Sequence, residues 1–227
     1  MKKALVVLVL IVAALIVPFF FPDVGKQAGV DPESNLPWQI ATDGQGGSTV
    51  FGLRPGTSTL ADVKARFGDT VEVAIVAAPD EVGSLEGYYA QVPLGFVLAR
   101  VIVTVDAAET AISAMRERAL KAEHMESMTR KIKLHPDDLA MAERLPVRAI
   151  AVIPTVNLDE ATVVRRFGPP GERVVISDRR VHLLYPKQGL DIVVDGDGKE
   201  LLQYVAPREF DRLRQPLPAA GTEPPVR

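Results

Sequence analysis

The sequence predicts an α+β protein with an N-terminal transmembrane helix, followed by two repeated units and a helical insert between them. Each unit is expected to contain one helix and a three-stranded antiparallel sheet. Three observations predict this: a run without polar side chains at 4–21, two similar segments 100 residues apart, and short β-type runs after each segment. The 227 residues are enough to bury a substantial core in one or two domains.

The first element is the apolar run at 4–21, which predicts a transmembrane signal-anchor over 1–22. As a helix it spans roughly 27 Å, close to the hydrocarbon thickness of a bilayer. Lys2 and Lys3 precede it and Asp23 is the first charge after it. The positive-inside rule therefore predicts a cytoplasmic N-terminus and a periplasmic C-terminal domain.

A cleaved secretory signal is the alternative interpretation of this run. Such signals have apolar regions of about 7–15 residues that end at a small-x-small cleavage site. Here the run is longer and ends in three phenylalanines and Pro22, without a good cleavage pair. An uncleaved anchor is therefore favoured, with a polar linker over 23–47.

Charge and cysteine content exclude several classes of protein. The net charge of −3 argues against nucleic-acid binding, which depends on Lys and Arg neutralising phosphates. The chain has no Cys, which excludes disulfides, thiol catalysis and thiolate metal sites. An acidic domain without Cys suits the bacterial periplasm, so we predict a single-pass protein of the inner membrane.

The internal repeat appears when the chain is compared with itself. STLADVKARFG at 58–68 and LDEATVVRRFG at 158–168 agree at five of eleven positions. Each segment follows a β-type run and begins with residues that cap helices. Thr57 or Ser58 is the expected cap of the first helix, and Asn157 with Glu160 has the form of a capping box in the second.

Both helices are expected to end at a glycine, Gly68 or Gly168, and to be followed by strands with period-2 alternation. The Asp-Gly-Asp-Gly run at 195–198 predicts a tight hairpin turn with positive φ angles. The units cover 48–106 and 147–213. The predicted strands are 71–77, 85–92 and 96–105 in the first unit, and 172–177, 180–186, 190–195 and 200–206 in the second.

The helical insert covers 107–146. Asp106 and Glu109 suggest a capping box for a helix over about 107–122, whose apolar residues recur at helical spacing. A short basic strand at 127–134 and a small helix from Pro136 follow. The proline-rich tail at 214–227 has no apolar period and is predicted to be disordered.

The string FGLRPGTSTLADVKARFG resembles small outer-membrane assembly lipoproteins of the SmpA/OmlA (BamE) type, and VIPTVNLDEATVVRRFGPP is similar to it. Two such units in tandem also resemble the architecture of β-lactamase inhibitory protein. Both families bind proteins and are not enzymes, so the resemblance implies a protein-binding role. Because this chain lacks the lipid-bearing Cys of the lipoproteins, an inner-membrane location is favoured over an outer-membrane one.

Catalytic and metal-binding patterns are not found in the sequence. His124, His135 and His182 lack the spacing of a helical metal site. Asp195 and Asp197 match only half of a calcium loop. No G-x-S-x-G nucleophile elbow is present. The sequence therefore predicts no enzyme, no cofactor and no metal.

The candidate binding residues are the four tyrosines. Tyr88 and Tyr89 are adjacent on a predicted strand, so one is expected in the core and the other on the surface. An outward tyrosine is a plausible anchor for a protein partner. Tyr185 and Tyr204 are weaker candidates by the same argument.

The function predicted is a membrane-anchored periplasmic module that binds or scaffolds an envelope or inner-membrane protein, without catalysis. One alternative is a periplasmic enzyme or small-ligand-binding protein that uses a groove between the two repeats. Another is an accessory subunit of an inner-membrane complex that needs the anchor helix itself.

Overall fold

The computed structural model describes residues 35–124 and 129–219, and over these ranges the protein is α+β. Five short α-helices accompany one ten-stranded antiparallel sheet and a two-stranded ribbon. None of the helices in the described ranges is long and apolar enough to cross a membrane. The predicted span at 4–21 lies outside the described residues.

The elements divide into an N-terminal half, a C-terminal half and a strand that joins them. The N-terminal half contains β1 (Ala41–Thr42), β2 (Ser48–Thr49), α1 (Leu60–Phe67), β3 (Glu72–Ala77), β4 (Ser84–Leu94), β5 (Val97–Val105), α2 (Glu109–Glu117), β6 (Lys121–His124), β7 (Arg130–Lys133) and α3 (Pro136–Ala142). The joining strand is β8 (Val147–Pro154). The C-terminal half contains α4 (Glu160–Phe167), β9 (Glu172–Ser177), β10 (Arg180–Tyr185), β11 (Leu190–Asp195), β12 (Leu201–Val205) and α5 (Asp211–Arg214), with 3₁₀ turns at Pro186–Gln188 and Pro207–Glu209.

The sheet is continuous across both halves, in the order β6-β7-β3-β4-β5-β8-β12-β11-β10-β9. Val152 of β8 lies opposite Val101 of β5 on one side and Leu202 of β12 on the other. The prediction of a separate three-stranded sheet in each unit is therefore wrong. The second unit contributes four strands after its helix, and β8 fuses the units because its backbone pairs on both sides.

The two faces of the sheet are distinguished by the strand register, since directly opposed residues share a face. On the helix face, Val101, Val152 and Leu202 belong to one core with Val63 of α1 and Val163 of α4. The opposite face, called the outer face below, includes Tyr88 and Ile102. Both repeat helices thus cover the same side of one sheet.

Both helix N-termini are capped, but one or two residues later than predicted. Thr59 and Asp62 form the capping box of α1, and the Asp62 carboxylate accepts from Thr59 N at 2.7 Å. Asp159 caps α4 by accepting from Thr162 N at 2.7 Å. The predicted cap Asn157 instead accepts a hydrogen bond from Lys199. The predictions failed because each stretch offers several capping residues in a row.

Both helices end at a glycine, as predicted. Gly68 has φ +97° and ψ 171°, and Gly168 has φ +83° and ψ −178°. This extended region with positive φ is essentially reserved for glycine. An added Cβ at either position meets nothing within 4 Å. Backbone conformation, not space, therefore requires glycine at both helix ends.

The insert is only partly helical. Helix α2 covers Glu109–Glu117 instead of 107–122, and its N-cap Ala108 has no side-chain hydrogen bond. Lys121–His124 forms edge strand β6, paired with β7. Its backbone pairs with β7 from Lys121 to His124, and this tertiary pairing overrides the local helical pattern. The predicted helix from Pro136 is confirmed as α3.

The predicted linker and tail are partly folded. Within the predicted linker 23–47, Leu36 is buried in the protein, and Ile40 packs on the core. In the predicted tail, Leu217 packs against the outer face near Phe210. Both segments lack an apolar period because they pack as single chains across a sheet, not as helices.

The hairpin at 195–198 is confirmed, but its conformation differs from the prediction. Gly196 and Gly198 do not have positive φ angles. The Asp195 carboxylate instead accepts from Asp197 N at 3.0 Å, and Arg180 donates to the same carboxylate. These bonds lower the pKa of Asp195, the Asp197 N–H having the largest effect. Asp195 therefore stabilises the turn.

Candidate interaction surface

Tyr88 and Tyr89 point to opposite faces of β4, as the alternation predicts. Tyr88 lies on the outer face and is 38% exposed, whereas Tyr89 is buried on the helix face. A bulge between Tyr89 and Val92 shifts the register farther along the strand. Tyr88 is thus the only one of the four candidate tyrosines with a substantially exposed side chain.

Tyr89 and Tyr185 form matching structures in the two halves. Tyr89 Oη donates to Gly68 O at 2.9 Å, and Tyr185 Oη donates to Gly168 O at 3.0 Å. Each ring also contacts the last residue of the helix, Phe67 at 5.8 Å or Phe167 at 6.1 Å between centroids. We call each arrangement a tyrosine lock, because it fastens the end of the helix to the sheet.

Burial raises the pKa of Tyr89 and of Tyr185 to about 12, with smaller contributions from the nearby charges of Asp69 and Glu160, respectively. Both phenols therefore stay protonated and able to donate at neutral pH. Their hydroxyl groups are engaged within the protein and their rings are covered. These two side chains offer no surface to a partner in this structure, and we assign them a structural role.

Tyr204 is buried between the halves. Its Oη donates to Pro37 O at 2.9 Å, and its ring lies edge-on to Phe51 at 5.4 Å. Complete burial raises its pKa well above the ordinary value. Tyr204 thus fastens the N-terminal segment to the sheet, so it too presents no binding surface.

The outer face of the central strands carries an apolar row. The register places Tyr88 opposite Ile102, Ile102 opposite Ala151, and Ala151 opposite Gln203. Ile102 and Ala151 are only half-buried. We call this row, from Tyr88 to Ala151, the open row. Its partial exposure is a feature of surfaces that bind proteins.

The outer face of the C-terminal half is covered. After β12 the chain turns back, and Phe210 packs on Val174, Leu184 and Val205 in a second small core. Arg214 Nη2 bonds Glu172 at 2.9 Å at the edge strand β9. We call residues 207–217 the C-terminal strap. In the described part of the chain, the strap adds a second layer to the outer face at the C-terminal end of the sheet only.

A buried polar group lies farther along the same face. Asp191 is 1% exposed, and its Oδ2 is 2.8 Å from His182 Nδ1 and 3.3 Å from Gln203 Nε2. Its Oδ1 has no hydrogen-bond partner in the described part of the chain. The Asp191 carboxylate therefore fixes the position of the His182 ring. The strand pattern alone did not identify this pair.

Of the other two histidines, only His135 has a described side chain, and it does not contact this pair. The ring of His135 accepts a hydrogen bond from Asp137 N at 3.4 Å and caps α3, and the side chain of His124 lies outside the described residues. Over residues 35–124 and 129–219, no group of three His, Cys, Asp or Glu side chains is arranged to hold a metal ion.

A charged groove of about 460 Å³ opens at the edge of the sheet, where β7 leaves β3. Three of the four lysines that line it pair with its carboxylates: Lys64 with Glu143 at 2.7 Å, Lys121 with Glu123 at 2.7 Å, and Lys131 with Glu72. The hydrogen bond to Glu143 raises the pKa of Lys64. Because these charges largely neutralise one another, the groove has no strong preference for either sign of ligand.

The space between the two repeat helices is filled. Phe51 contacts Phe67 of α1 at 6.3 Å and Tyr204 of β12 at 5.4 Å, while Trp38 contacts Phe167 of α4 at 6.2 Å. A void of only about 20 Å³ remains beside Trp38. In the described part of the chain, the region where the alternative hypothesis places a ligand groove is occupied by residues 36–53.

Sequence reasoning missed two aromatic residues at one end of the sheet. Phe96 lies at the β4–β5 turn and is 63% exposed, and Trp38 lies 5.8 Å from it. A signal existed: Gly-Phe is an unusual pair for a two-residue hairpin, where polar residues are preferred. Trp38, the only tryptophan, was assigned to a linker.

Comparison with known proteins gives no relative: no family model, no curated protein and no solved structure matches this chain. The resemblance to the assembly lipoproteins therefore stays a prediction. The argument for function depends on the surfaces described above.

Proposed function

We propose that this protein is a membrane-anchored binding module of the bacterial cell envelope. A transmembrane signal-anchor at 1–22 holds two tandem units on the periplasmic side of the inner membrane, and the module recruits or scaffolds an envelope protein without catalysis. The observation on which the proposal mainly depends is the asymmetry of the outer face. The strap covers that face in the C-terminal half, while Tyr88 and Ile102 stay accessible in the N-terminal half.

The tandem organisation supports this proposal. The two tyrosine locks join equivalent residues, since Phe67, Gly68 and a strand tyrosine in one half correspond to Phe167, Gly168 and a strand tyrosine in the other. Such agreement in three positions favours duplication of one unit. Of the two copies, one has a covered outer face and the other an accessible one, so a partner can bind to the accessible face.

The chemistry of the open row indicates the kind of partner. Tyr88 supplies a large ring and a hydroxyl at low entropic cost, and Ile102 and Ala151 continue the apolar surface. Glu86 and Arg100 are charged neighbours on the same face. An apolar centre with a polar rim fits a folded protein or an amphipathic segment of one.

Site-specific photocrosslinking in cells tests the proposal. A photoreactive amino acid replaces Tyr88, and Val164 on α4 is the matched control because its exposure of 37% equals that of Tyr88 within 1%. We expect a discrete adduct from position 88 that is absent from position 164. Tyr88→Asp is expected to reduce recovery of the same species when the wild-type chain co-purifies it.

Two outcomes would count against the proposal. Identical adducts at both positions would indicate random contact, and no adduct at position 88, while known envelope complexes crosslink, would remove the open row as a binding surface. Thermal unfolding of Tyr88→Asp checks that the variant folds, since an exposed substitution is expected to change stability by only about 0.5 kcal/mol.

A further inference from the structure

We propose that the end of the domain formed by Trp38, Phe96 and Val156 lies against the lipid headgroups of the membrane in which the chain is anchored. We call these three residues the aromatic end. The inference rests on the membrane anchor of the proposed function and adds a second membrane contact, made by the folded domain.

The first argument is exposure that the fold does not require. Phe96 follows Gly95 (φ +62°) in the two-residue turn between β4 and β5, and at 63% it is the most exposed large apolar side chain in the described residues. Most residues fit this position, and polar residues are usual in such turns. Such a phenylalanine points to something outside the domain when other apolar side chains extend it into a patch.

The second argument is that the exposed Phe96 ring and the half-buried Trp38 ring form one surface. The Trp38 and Phe96 ring centroids are 5.8 Å apart. Thr155 N donates to Leu98 O at 2.9 Å, so the loop after β8 continues alongside the Gly95–Phe96 turn. Val156, the next residue of that loop, is 51% exposed. The aromatic end therefore combines two chain segments and the N-terminal segment.

The third argument is that Trp38 is held in place. Its ring contacts Phe167 at 6.2 Å, and the Arg166 guanidinium lies 4.9 Å from the ring centroid. Tryptophan prefers the membrane–water interface because its ring is apolar and its indole N–H is polar. Neither Arg165 nor Arg166 forms an ion pair in the described part of the chain, although Arg165 helps to lower the pKa of Asp159. The Arg165 guanidinium donates to Thr162 Oγ1 at 2.9 Å, whereas the positive charge of Arg166 beside Trp38 favours anionic headgroups.

The fourth argument is the path of the chain. The described part begins at Asn35, three residues before Trp38. If the predicted span ends at Phe21, the segment 22–34 connects it to the described domain. That segment reaches at most roughly 45 Å when fully extended, and less in any other conformation. The chain thus enters the domain at the aromatic end. A bilayer is the one occupant that the chain itself brings to this surface.

Tryptophan fluorescence tests the proposal, because Trp38 is the single tryptophan of the chain. The full-length protein is reconstituted into vesicles of phosphatidylcholine and phosphatidylglycerol, with the phosphatidylcholine either unmodified or brominated on the upper acyl chain. We expect loss of Trp38 emission in the brominated vesicles. Phe96→Trp adds a probe at the aromatic end whose emission is also expected to fall, while Tyr88→Trp on the open row adds emission that does not.

The outcomes separate the anchor from the aromatic end. A chain that does not float with vesicles in a density gradient overturns both proposals. A chain that floats, with equal Trp38 emission in plain and brominated vesicles, overturns only the aromatic end. Emission that changes with the ratio of protein to lipid, but not with bromination, assigns the surface to a second copy and also overturns the proposal.

Discussion

The two halves of the molecule share one construction and differ in what covers them. In both, a helix ends at a glycine whose carbonyl oxygen accepts a hydrogen bond from a buried strand tyrosine, Tyr89 or Tyr185. Among the described residues, only the C-terminal half has a strap on its outer face, with Phe210 at its centre. The tyrosine locks are repeated because the fold needs them in both halves. The outer face differs between the halves, so it is available for function.

The halves also differ in how their equivalent arginines contact the segment 36–53. In the N-terminal half, Arg66 Nε donates to Phe51 O at 2.7 Å, whereas in the C-terminal half the equivalent Arg166 stacks on Trp38. One arginine satisfies a buried carbonyl group, and the other lies over an aromatic ring. The same repeated residue thus fastens two different parts of the segment at 36–53.

The largest effect is expected from Phe51, which links the halves. Phe51→Ala removes a fully buried ring from between Phe67 and Tyr204, so we expect the free energy of unfolding to fall by about 3–5 kcal/mol. Urea denaturation followed by circular dichroism measures this loss. Phe96→Ala is the control, and its exposed ring predicts a change within about 0.5 kcal/mol.

Phe51→Asn sharpens the same test. Phe51 (φ +56°) and Gly52 (φ +78°) occupy a two-residue turn in which both positions have positive φ, where Asn-Gly is the preferred pair. Asn therefore improves the turn while it removes the core contact. If Phe51→Asn were as stable as the wild type, the gain in the turn would offset the lost ring contacts, and Phe51 would not be the main link between the halves.

The next effect concerns the strap. Phe210→Ala is expected to lower the free energy of unfolding by about 3 kcal/mol, because the ring is buried against Val174, Leu184 and Val205. Tyr88→Ala, on the open row of the other half, is expected to cost less than about 1 kcal/mol. Thermal unfolding of the two variants compares them directly. Equal losses would contradict the claim that only one half has a covered outer face.

The strands were predictable because alternation along each run is strong. Val97, Val101 and Val105 alternate with more exposed residues, and the structure places them on the helix face. The fusion of the units through β8 was not predictable, because alternation shows which face is buried but not which strand lies alongside. The helix caps failed for a related reason, since Ser58 and Thr59 are equally good caps and only the fold selects one.

The candidate site was predictable only in part. The parity of Tyr88 and Tyr89 follows from the strand geometry, and the structure confirms it. The burial of Tyr204 depends on how the segment 36–53 crosses the sheet, and the coverage of the outer face depends on the segment 207–217. These segments have no periodic pattern, because each contributes single anchors such as Phe51 and Phe210. A sequence analysis based on periodicity therefore misses the layers that decide exposure.

Alkaline pH is expected to weaken both halves together. The pKa of Tyr89 and of Tyr185 is raised to about 12, whereas an unfolded tyrosine titrates near 10. Between these values the unfolded state loses protons that the folded state keeps, so stability falls as pH rises. Each tyrosine contributes at most about 1.4 kcal/mol per pH unit. Urea midpoints measured from pH 9 to pH 12 check the slope, and a flat profile would contradict the burial of the two phenols.

The smallest effect tests whether the two tyrosine locks are equivalent. Tyr89→Phe and Tyr185→Phe each keep the ring contact with Phe67 or Phe167 and remove one hydrogen bond of 2.9 or 3.0 Å. We expect each to cost about 1 kcal/mol, and the double variant to cost their sum, because the locks lie in different halves and share no partner. The double variant is also expected to lose the part of the alkaline slope that comes from Tyr89 and Tyr185, since Phe cannot ionise, whereas the buried Tyr204 keeps its own part. A cost confined to one of the two variants would show that only one lock stabilises the fold, and the matching geometry of the halves would then not reflect matching energetics.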